Sequence, residues 1–270
     1  MGPVGHSMET EMKIAISGKG GVGKTTLAAM LATGLSLQGK SVIAIDADPD
    51  ANLAAALGIP ADRQPAPLGE MKELIAERTG SSEGYGGYFK LNPKVDDIPE
   101  EYATVVGNIH LLVLGGVKKG GGGCICPATV LIKALLSHLL LHRDDNIIMD
   151  MEAGIEHLGR ATAESMDALV IVVDDGKWSL QTALRTRELA ADLGMTNLFV
   201  IANGIADPAD LECISRELDG LPLVGQIPRD EGIREGVARL AASGELRPTG
   251  WLADHMDVVT AILGELREGI

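Results

Sequence analysis

The chain has 270 residues, of which 46% are hydrophobic, 23% are charged and only 3% are aromatic. This length and composition suit one large α/β domain with an aliphatic core. The net charge of −15 opposes binding to nucleic acid or anionic lipid, and the sequence contains no basic patch to offset it. Three cysteines argue against a disulfide framework and favour a reducing cytoplasm.

The N-terminal residues lack the basic region and apolar core of a signal peptide, and no apolar run is long enough to span a membrane. We therefore expect a cytoplasmic protein that binds neither membrane nor nucleic acid. We also expect a disordered tail over residues 1–11 and one domain over residues 12–270.

A glycine-rich loop separates the first predicted strand, residues 12–17, from the first predicted helix, residues 26–37. The loop reads GKGGVGKTT over residues 18–26, which is typical of phosphate binding because glycines allow backbone N–H groups to approach a polyphosphate. The helix N-terminus adds partial positive charge. Lys24 is expected to reach the β- and γ-phosphates, and Thr25 to hold Mg²⁺. The predicted nucleotide cradle comprises Gly20, Gly21, Val22, Gly23, Lys24, Thr25 and Thr26.

Lys19 is an additional lysine in this loop. An ammonium group so early in the loop points away from its own cradle, so it can reach a nucleotide on a second subunit, as an arginine finger does. A solvated surface lysine is the alternative. The motif resembles the deviant Walker A loop of the nitrogenase iron protein/MinD family of dimeric ATPases. This resemblance implies a nucleotide-dependent homodimer in which Lys19 and Lys24 act in ATP hydrolysis.

Further apolar segments alternate with helical ones along the rest of the chain. Six more strands are predicted over residues 41–46, 109–114, 146–150, 168–173, 197–203 and 221–227. Helices are predicted over residues 69–78, 128–142, 179–193, 232–242 and 254–267. Residues 79–104 show no clear period and predict an irregular excursion. We expect an α/β, doubly wound, mostly parallel sheet flanked by helices, and the resemblance implies a P-loop NTPase of the SIMIBI class.

Acidic residues follow two of the predicted strands, at the edge where parallel sheets bind ligands. Asp46 and Asp48 follow the second strand, and the resemblance implies that Asp48 orients or activates the attacking water. Asp150 ends the strand over residues 146–150, the place of a Walker B aspartate that binds Mg²⁺ through water. Gly154 is expected to donate its N–H to the γ-phosphate. A surface aspartate without a ligand is the alternative for Asp150.

The residues after the last strands indicate which nucleotide base is bound. Guanine-binding proteins use Asn-Lys-x-Asp after a late strand, but here Gly204 follows Asn203 and the lysine is missing. Asn203, Pro228 and Arg229 resemble the adenine pocket of the family, with Asn203 bonded to the base edge. Adenine is thus favoured over guanine, and a turn residue is the alternative for Asn203.

Cys124 and Cys126 lie in a second glycine-rich loop, just before a predicted helix. Residues two apart in extended backbone face the same way, so both sulfurs can present to one metal. A closed site needs about four ligands, which a two-fold dimer supplies as four thiolates. Tetrahedral geometry would suit Zn²⁺ and square-planar geometry Ni²⁺. The alternative is a pair of thiols without a ligand, and the third thiol, Cys213, is expected in the core.

The phosphate loop, DADPDAN, GCICP and the stretch DMEAGIEHLGR over residues 150–160 together resemble the CooC-type nickel ATPases. These proteins mature carbon monoxide dehydrogenase, and close relatives serve acetyl-CoA synthase. The resemblance implies ATP/ADP, Mg²⁺ and Ni²⁺ as cofactors, with Ni²⁺ held by Cys124 and Cys126 between two subunits and Zn²⁺ as a substitute.

Two other functions stay open on the residues alone. A positioning ATPase of the MinD or ParA kind would need a basic C-terminal helix or a basic face, which this acidic chain lacks. An electron-transfer ATPase would hold an iron–sulfur cluster at the dimer axis. The nitrogenase iron protein uses two cysteines far apart in sequence for this purpose, and Cys213 does not match that spacing.

Overall fold

The computed structural model describes residues 11–81, 88–115, 126–152, 155, 158–230, 232 and 256–270. Its strands are β1 (Lys13–Gly18), β2 (Val42–Asp46), β3 (Thr104–Val106), β4 (Ile109–Val113), β5 (Asn146–Asp150), β6 (Ala168–Val173), β7 (Leu198–Ile205) and β8 (Leu223–Pro228). Its α-helices are α1 (Lys24–Leu37), α2 (Leu53–Ala56), α3 (Lys72–Thr79), α4 (Ile98–Tyr102), α5 (Pro127–His142), α6 (Arg160–Ala163), α7 (Lys177–Asp192), α8 (Pro208–Glu217) and α9 (Met256–Gly269). Two 3₁₀ turns span Ala61–Arg63 and Leu68–Glu70.

The strands form one sheet with the order β3-β4-β2-β5-β1-β6-β7-β8. Neighbouring strands are parallel except β3 and β4, which are antiparallel. The central strands are buried along their whole length, as expected for a sheet covered on both faces. The prediction of a doubly wound, mostly parallel α/β fold is confirmed.

Two apolar layers enclose the sheet. On one face, α1 and α9 pack on β1 through residues such as Leu31, Val259 and Ile14. On the other face, α5 and α7 pack through residues such as Leu135 and Leu180. On α5, α7 and α9 the buried residues recur at helical spacing, so one side of each of these helices is buried and the other faces solvent. Helix α1 is instead buried on all sides from Leu27 to Leu35. The two layers hold the sheet in place and so position the carboxyl ends of its strands.

The described residues between 79 and 104 are more regular than predicted. They contain the short helix α4, and the edge strand β3 begins at Thr104. The half-exposed segment before α4 is tied to α3 because the Arg78 guanidinium, only 10% exposed, contacts Asp97 at 2.9 Å. A long-range ion pair of this kind leaves no periodic signal in the sequence.

Of the other predictions, one is wrong and the rest are not tested by the described residues. Cys213 lies on α8 and is exposed, so its predicted placement in the core was wrong. The expected tail, apart from Glu11, and the predicted helix over residues 232–242, apart from Gly232, lie outside the described residues. The single domain over residues 12–270 stays a prediction. No helix in the described ranges is long and apolar enough to cross a bilayer.

Candidate functional site: a nucleotide-binding edge

The phosphate loop connects β1 to α1 by a backbone path that only glycine fits at two points. Gly18 has φ 144° and Gly23 has φ 96°. A Cβ atom on Gly18 would collide with the carbonyl oxygen of Val172, and one on Gly23 would collide with the amide nitrogen of Asn203. Gly23 immediately precedes α1, whose first turn has no side-chain cap and no acidic residue. The first N–H groups of α1 are therefore free to donate hydrogen bonds to an anionic ligand.

Lys24 begins α1 and is only 6% exposed. Its ammonium group donates to the backbone oxygen of Lys19 at 3.4 Å, which is a long hydrogen bond. Because burial penalises a charge with weak partners, an anionic phosphate within reach would be strongly favoured. Lys19 itself is partly exposed on the same loop. The structure thus places the two predicted lysines of the loop in different surroundings, one buried and one open to solvent.

Asp150 ends β5, directly beside Asp46 at the end of β2. It is fully buried, so the alternative of a surface aspartate was wrong. Burial raises its pKa to about 7, the nearby Thr25 hydroxyl lowers the pKa, and the charges of Asp46 and Lys24 act in opposite directions. Thr25 lies close but makes no hydrogen bond of normal geometry, so both carboxylate oxygens lack a partner within the described residues. A buried carboxylate beside a hydroxyl fits a hard divalent cation such as Mg²⁺.

Asp46 organises the loop that carries Asp48. Its two carboxylate oxygens accept the backbone N–H groups of Asp48 at 3.1 Å and of Leu53 at 2.8 Å. Burial raises its pKa to about 6, although the two hydrogen bonds lower it. The sequence places Asp46 at a strand end but assigns it no role. An acidic residue directly after an uninterrupted apolar strand is the signal that identifies it.

The three residues predicted to surround the base lie at the ends of the adjacent strands β7 and β8. Asn203 donates its side-chain amide to the backbone oxygen of Val22 at 2.7 Å, so it braces the phosphate loop. Pro228 ends β8, and the N–H of Arg229 bonds the oxygen of Ile205 at 3.0 Å. Contact of these residues with adenine stays a prediction.

Cys126 caps the N-terminus of α5. Its sulfur accepts the N–H of Thr129 at 3.4 Å and lies 3.0 Å from the Thr129 hydroxyl. Burial raises the pKa of the thiol, but the hydrogen bonds at Thr129 and neighbouring N–H groups outweigh this and lower it. Such surroundings favour the thiolate, the form that binds metals. Cys124 and Gly154 lie outside the described residues. No cluster of three or more His, Cys, Asp or Glu suited to a metal occurs within the described ranges.

Comparison with known proteins places this geometry in a family. Residues 13–242 match the model of the CobQ/CobB/MinD/ParA nucleotide-binding domain, which covers the phosphate loop and every strand of the sheet. The chain belongs to this family. This match confirms the predicted P-loop NTPase fold and the prediction of an ATPase. The resemblance to CooC-type proteins is confirmed by a relative in sequence.

The chain is 51% identical over 225 residues to the carbon monoxide dehydrogenase accessory protein CooC of Rhodospirillum rubrum, covering 83% of this chain and 86% of the relative. It is 48% identical over 225 residues to an uncharacterised ATP-binding protein of Methanocaldococcus jannaschii, covering 82% and 87%. Among solved structures, the MinD cell division protein of Aquifex aeolicus superposes with a TM-score of 0.63 at 24% identity, covering 96% of each chain. A ParA family ATPase from Chlorobium tepidum gives a TM-score of 0.67 at 20% identity, covering 94% and 98%. The two structures establish the fold alone.

Proposed function

We propose that the chain is a dimeric ATPase that carries nickel to a client enzyme, carbon monoxide dehydrogenase or its relative acetyl-CoA synthase. The observation that carries this proposal is the 51% identity to a carbon monoxide dehydrogenase accessory protein over most of both chains. The half-buried Cys126, with a lowered pKa at the start of α5, supports it independently. Nickel is the cargo, and ATP is the substrate.

The nucleotide edge would bind Mg-ATP. The loop over residues 20–26 would wrap the phosphates, Lys24 would neutralise the β- and γ-phosphate charge, and Thr25 with Asp150 would hold Mg²⁺. The partnerless, buried carboxylate of Asp150 fits that role, and bound Mg²⁺ would neutralise charge that develops on the phosphates.

Hydrolysis would use residues on the loops that follow β2 and β5. Asp48, held by Asp46, would align the water that attacks the γ-phosphorus, whose bond to the bridging oxygen of ADP then breaks. Gly154 would donate its N–H to the γ-phosphate. Asn203, Pro228 and Arg229 would enclose adenine, since Asn203 can brace the loop with its amide N–H and still offer its carbonyl oxygen to the base edge.

The metal site would form only in the dimer. Cys124 and Cys126 from each of two copies would give four thiolates at the two-fold axis, suited to Ni²⁺ with Zn²⁺ as a substitute. ATP binding and metal binding would each favour the closed dimer, because Lys19 and the cysteine loop both need a facing subunit. Two ligands that prefer one state strengthen each other's binding. Hydrolysis would open the dimer and release the metal to the client.

The proposal predicts that Cys126→Ser abolishes activation of nickel-free carbon monoxide dehydrogenase by this protein with ATP and NiCl₂. Enzyme activity after incubation would fall to the level without the protein, since a hydroxyl replaces a soft thiolate ligand. Cys213→Ser on the exposed face of α8 is the matched control and should activate like the wild type. Equal activation by both variants would contradict the proposal.

A further inference from the structure

The backbone of Asp46 is held by the strands on both sides of it. Asp46 ends β2, which lies between β4 and β5 in the sheet. Its backbone oxygen accepts the N–H of Leu114 at 2.8 Å, and the next N–H, that of Ala47, donates to the backbone oxygen of Asp150 at 2.9 Å. Asp46 is also fully buried. Its carboxylate therefore has a fixed position from which it can hold the loop that follows β2.

That carboxylate binds both ends of the loop between β2 and α2. One oxygen accepts the N–H of Asp48 at 3.1 Å, and the other accepts the N–H of Leu53, the first residue of α2, at 2.8 Å. The side chain of Asn52 gives α2 no cap. Asp46 thus satisfies an N–H group at the start of α2 from seven residues away. One rigid side chain fixes where the loop begins and where it ends.

The loop between these two hydrogen bonds has a strained backbone. Ala51 has φ 43°, in the left-handed region that residues with a Cβ atom rarely adopt. Its N–H donates to the backbone oxygen of Asp48 at 3.0 Å, and the carboxylate of Asp48 accepts the N–H of Asp50 at 3.0 Å. A strained backbone persists only where the surrounding structure fixes it. The two hydrogen bonds from Asp46 supply such fixing contacts.

Asp46 and Asp150 lie side by side at the carboxyl edge of the sheet, but their oxygens have different surroundings. Each oxygen of Asp46 accepts a backbone N–H, whereas both oxygens of Asp150 lack a partner within the described residues. An unpartnered carboxylate is suited to a cation, and a carboxylate occupied by N–H groups is suited to holding backbone. This difference separates the tasks of the two neighbouring acids.

We propose that Asp46 is a positioning residue for ATP hydrolysis, which sets the place of Asp48 through the loop between β2 and α2. The inference rests on the proposed function, in which Asp48 aligns the attacking water, and extends it to the residue that makes this alignment accurate. A misplacement of about 1 Å in a reacting group can cost about 100-fold in rate. Asp46 therefore acts on the rate of hydrolysis through Asp48 and not through the binding of ATP.

The test compares kcat for ATP hydrolysis with the affinity for a non-hydrolysable ATP analogue in Asp46→Asn. The amide has one acceptor oxygen in place of two, so one of the two loop N–H groups loses its partner. We expect kcat to fall at least about 10-fold and the affinity for the analogue to stay within about 2-fold. In single-turnover hydrolysis by Asp48→Asn, adding Asp46→Asn should cause no further loss, because residues that act as a unit are not additive.

A second pair of variants changes the loop without changing Asp46. A β-branched side chain opposes a positive φ, so Ala51→Val should lower kcat in the same way as Asp46→Asn. Ala51→Gly should keep the wild-type kcat, since glycine adopts this conformation freely. Asp207→Asn is the matched control for loss of a helix cap. Its exposed carboxylate accepts the N–H of Ala209 at 2.9 Å at the start of α8, and its replacement should leave kcat unchanged.

The outcomes separate the positioning role from the proposed function. Wild-type kcat in Asp46→Asn or in Ala51→Val, with Asp48→Asn inactive, would overturn the positioning role alone. Additive losses in Asp46→Asn/Asp48→Asn would also overturn it, because Asp46 would then act by a route that bypasses Asp48. Loss of analogue binding in Asp46→Asn would make Asp46 a residue of the fold or of the nucleotide site and contradict the proposal. A wild-type protein that hydrolyses no ATP would overturn the proposed function and the positioning role with it.

Discussion

Replacing Asp150 with Asn is expected to lower the rate of ATP hydrolysis at least about 100-fold while making the nucleotide-free protein more stable above pH 7. The two effects have opposite signs for one reason. The buried carboxylate has no hydrogen-bond partner within the described residues, so its charge destabilises the empty fold, yet that charge is what a Mg²⁺ ligand needs. Steady-state hydrolysis and denaturant unfolding of the two proteins measure both effects.

The pH dependence of this difference has a defined direction. The pKa of Asp150 is raised from 3.8 to about 7, so the folded state holds a proton that the unfolded state has lost between these values. The contribution of Asp150 to the free energy of unfolding is thus full below about pH 4 and is lost as pH rises to about 7. It amounts to roughly 4 kcal/mol at most. Asn does not titrate, so unfolding free energies of wild type and variant should diverge over this window in favour of the variant.

Asp62→Asn on the surface is the control for a simple change of charge, since Asp62 is exposed. It should change neither the rate nor the pH profile. An Asp150→Asn protein that hydrolyses ATP normally, or that loses stability at pH 8, would contradict the assignment of Asp150 as the cation ligand.

Lys19→Ala is expected to lower the rate of ATP hydrolysis at least about 100-fold, as loss of an arginine finger does. Mixing it with a second inactive variant, Asp150→Asn, should restore part of the activity. Asp150→Asn subunits lack a working cation site but retain Lys19. Mixed with Lys19→Ala subunits, they supply Lys19 across the interface to an intact site. Random mixing makes half of the dimers hybrid, each with one working site of two, so the mixture should recover about a quarter of the wild-type rate.

The controls for this mixture are the two variants alone at the same total concentration. Rescue should depend on protein concentration, because hybrid dimers must form. A mixture no faster than its separate components would show that Lys19 does not act across an interface. If Lys19→Ala alone has wild-type activity, Lys19 is a solvated surface lysine.

The phosphate loop and the parallel sheet were predictable because their signals are local. Glycine spacing, apolar strands and strand-ending acids follow from backbone geometry within a few residues. The structure brings together Lys24, Thr25 and Asp150, as the rule for carboxyl ends of parallel strands predicts. These residues come from distant parts of the chain but from one edge of the sheet.

Other features depend on contacts that no local pattern encodes. The role of Asp46 arises from two backbone N–H groups, one of them seven residues away. The bond between Asn203 and Val22 joins residues 181 positions apart. A groove of about 800 Å³ between α5 and residues 91–96 depends on the path of the segment before α4, which no local pattern in the sequence predicts. The exposure of Cys213 was missed because α8 buries mainly Ile214.

In the proposed mechanism, nucleotide and nickel stabilise one dimeric state through the cysteines. Equilibrium dialysis against NiCl₂, with and without a non-hydrolysable ATP analogue, tests it most directly when dimer mass is followed by light scattering. We expect one nickel per two chains, tighter binding with the analogue and loss of binding in Cys126→Ser. Nickel bound by monomers, or bound equally with and without the analogue and without Cys126, would contradict it.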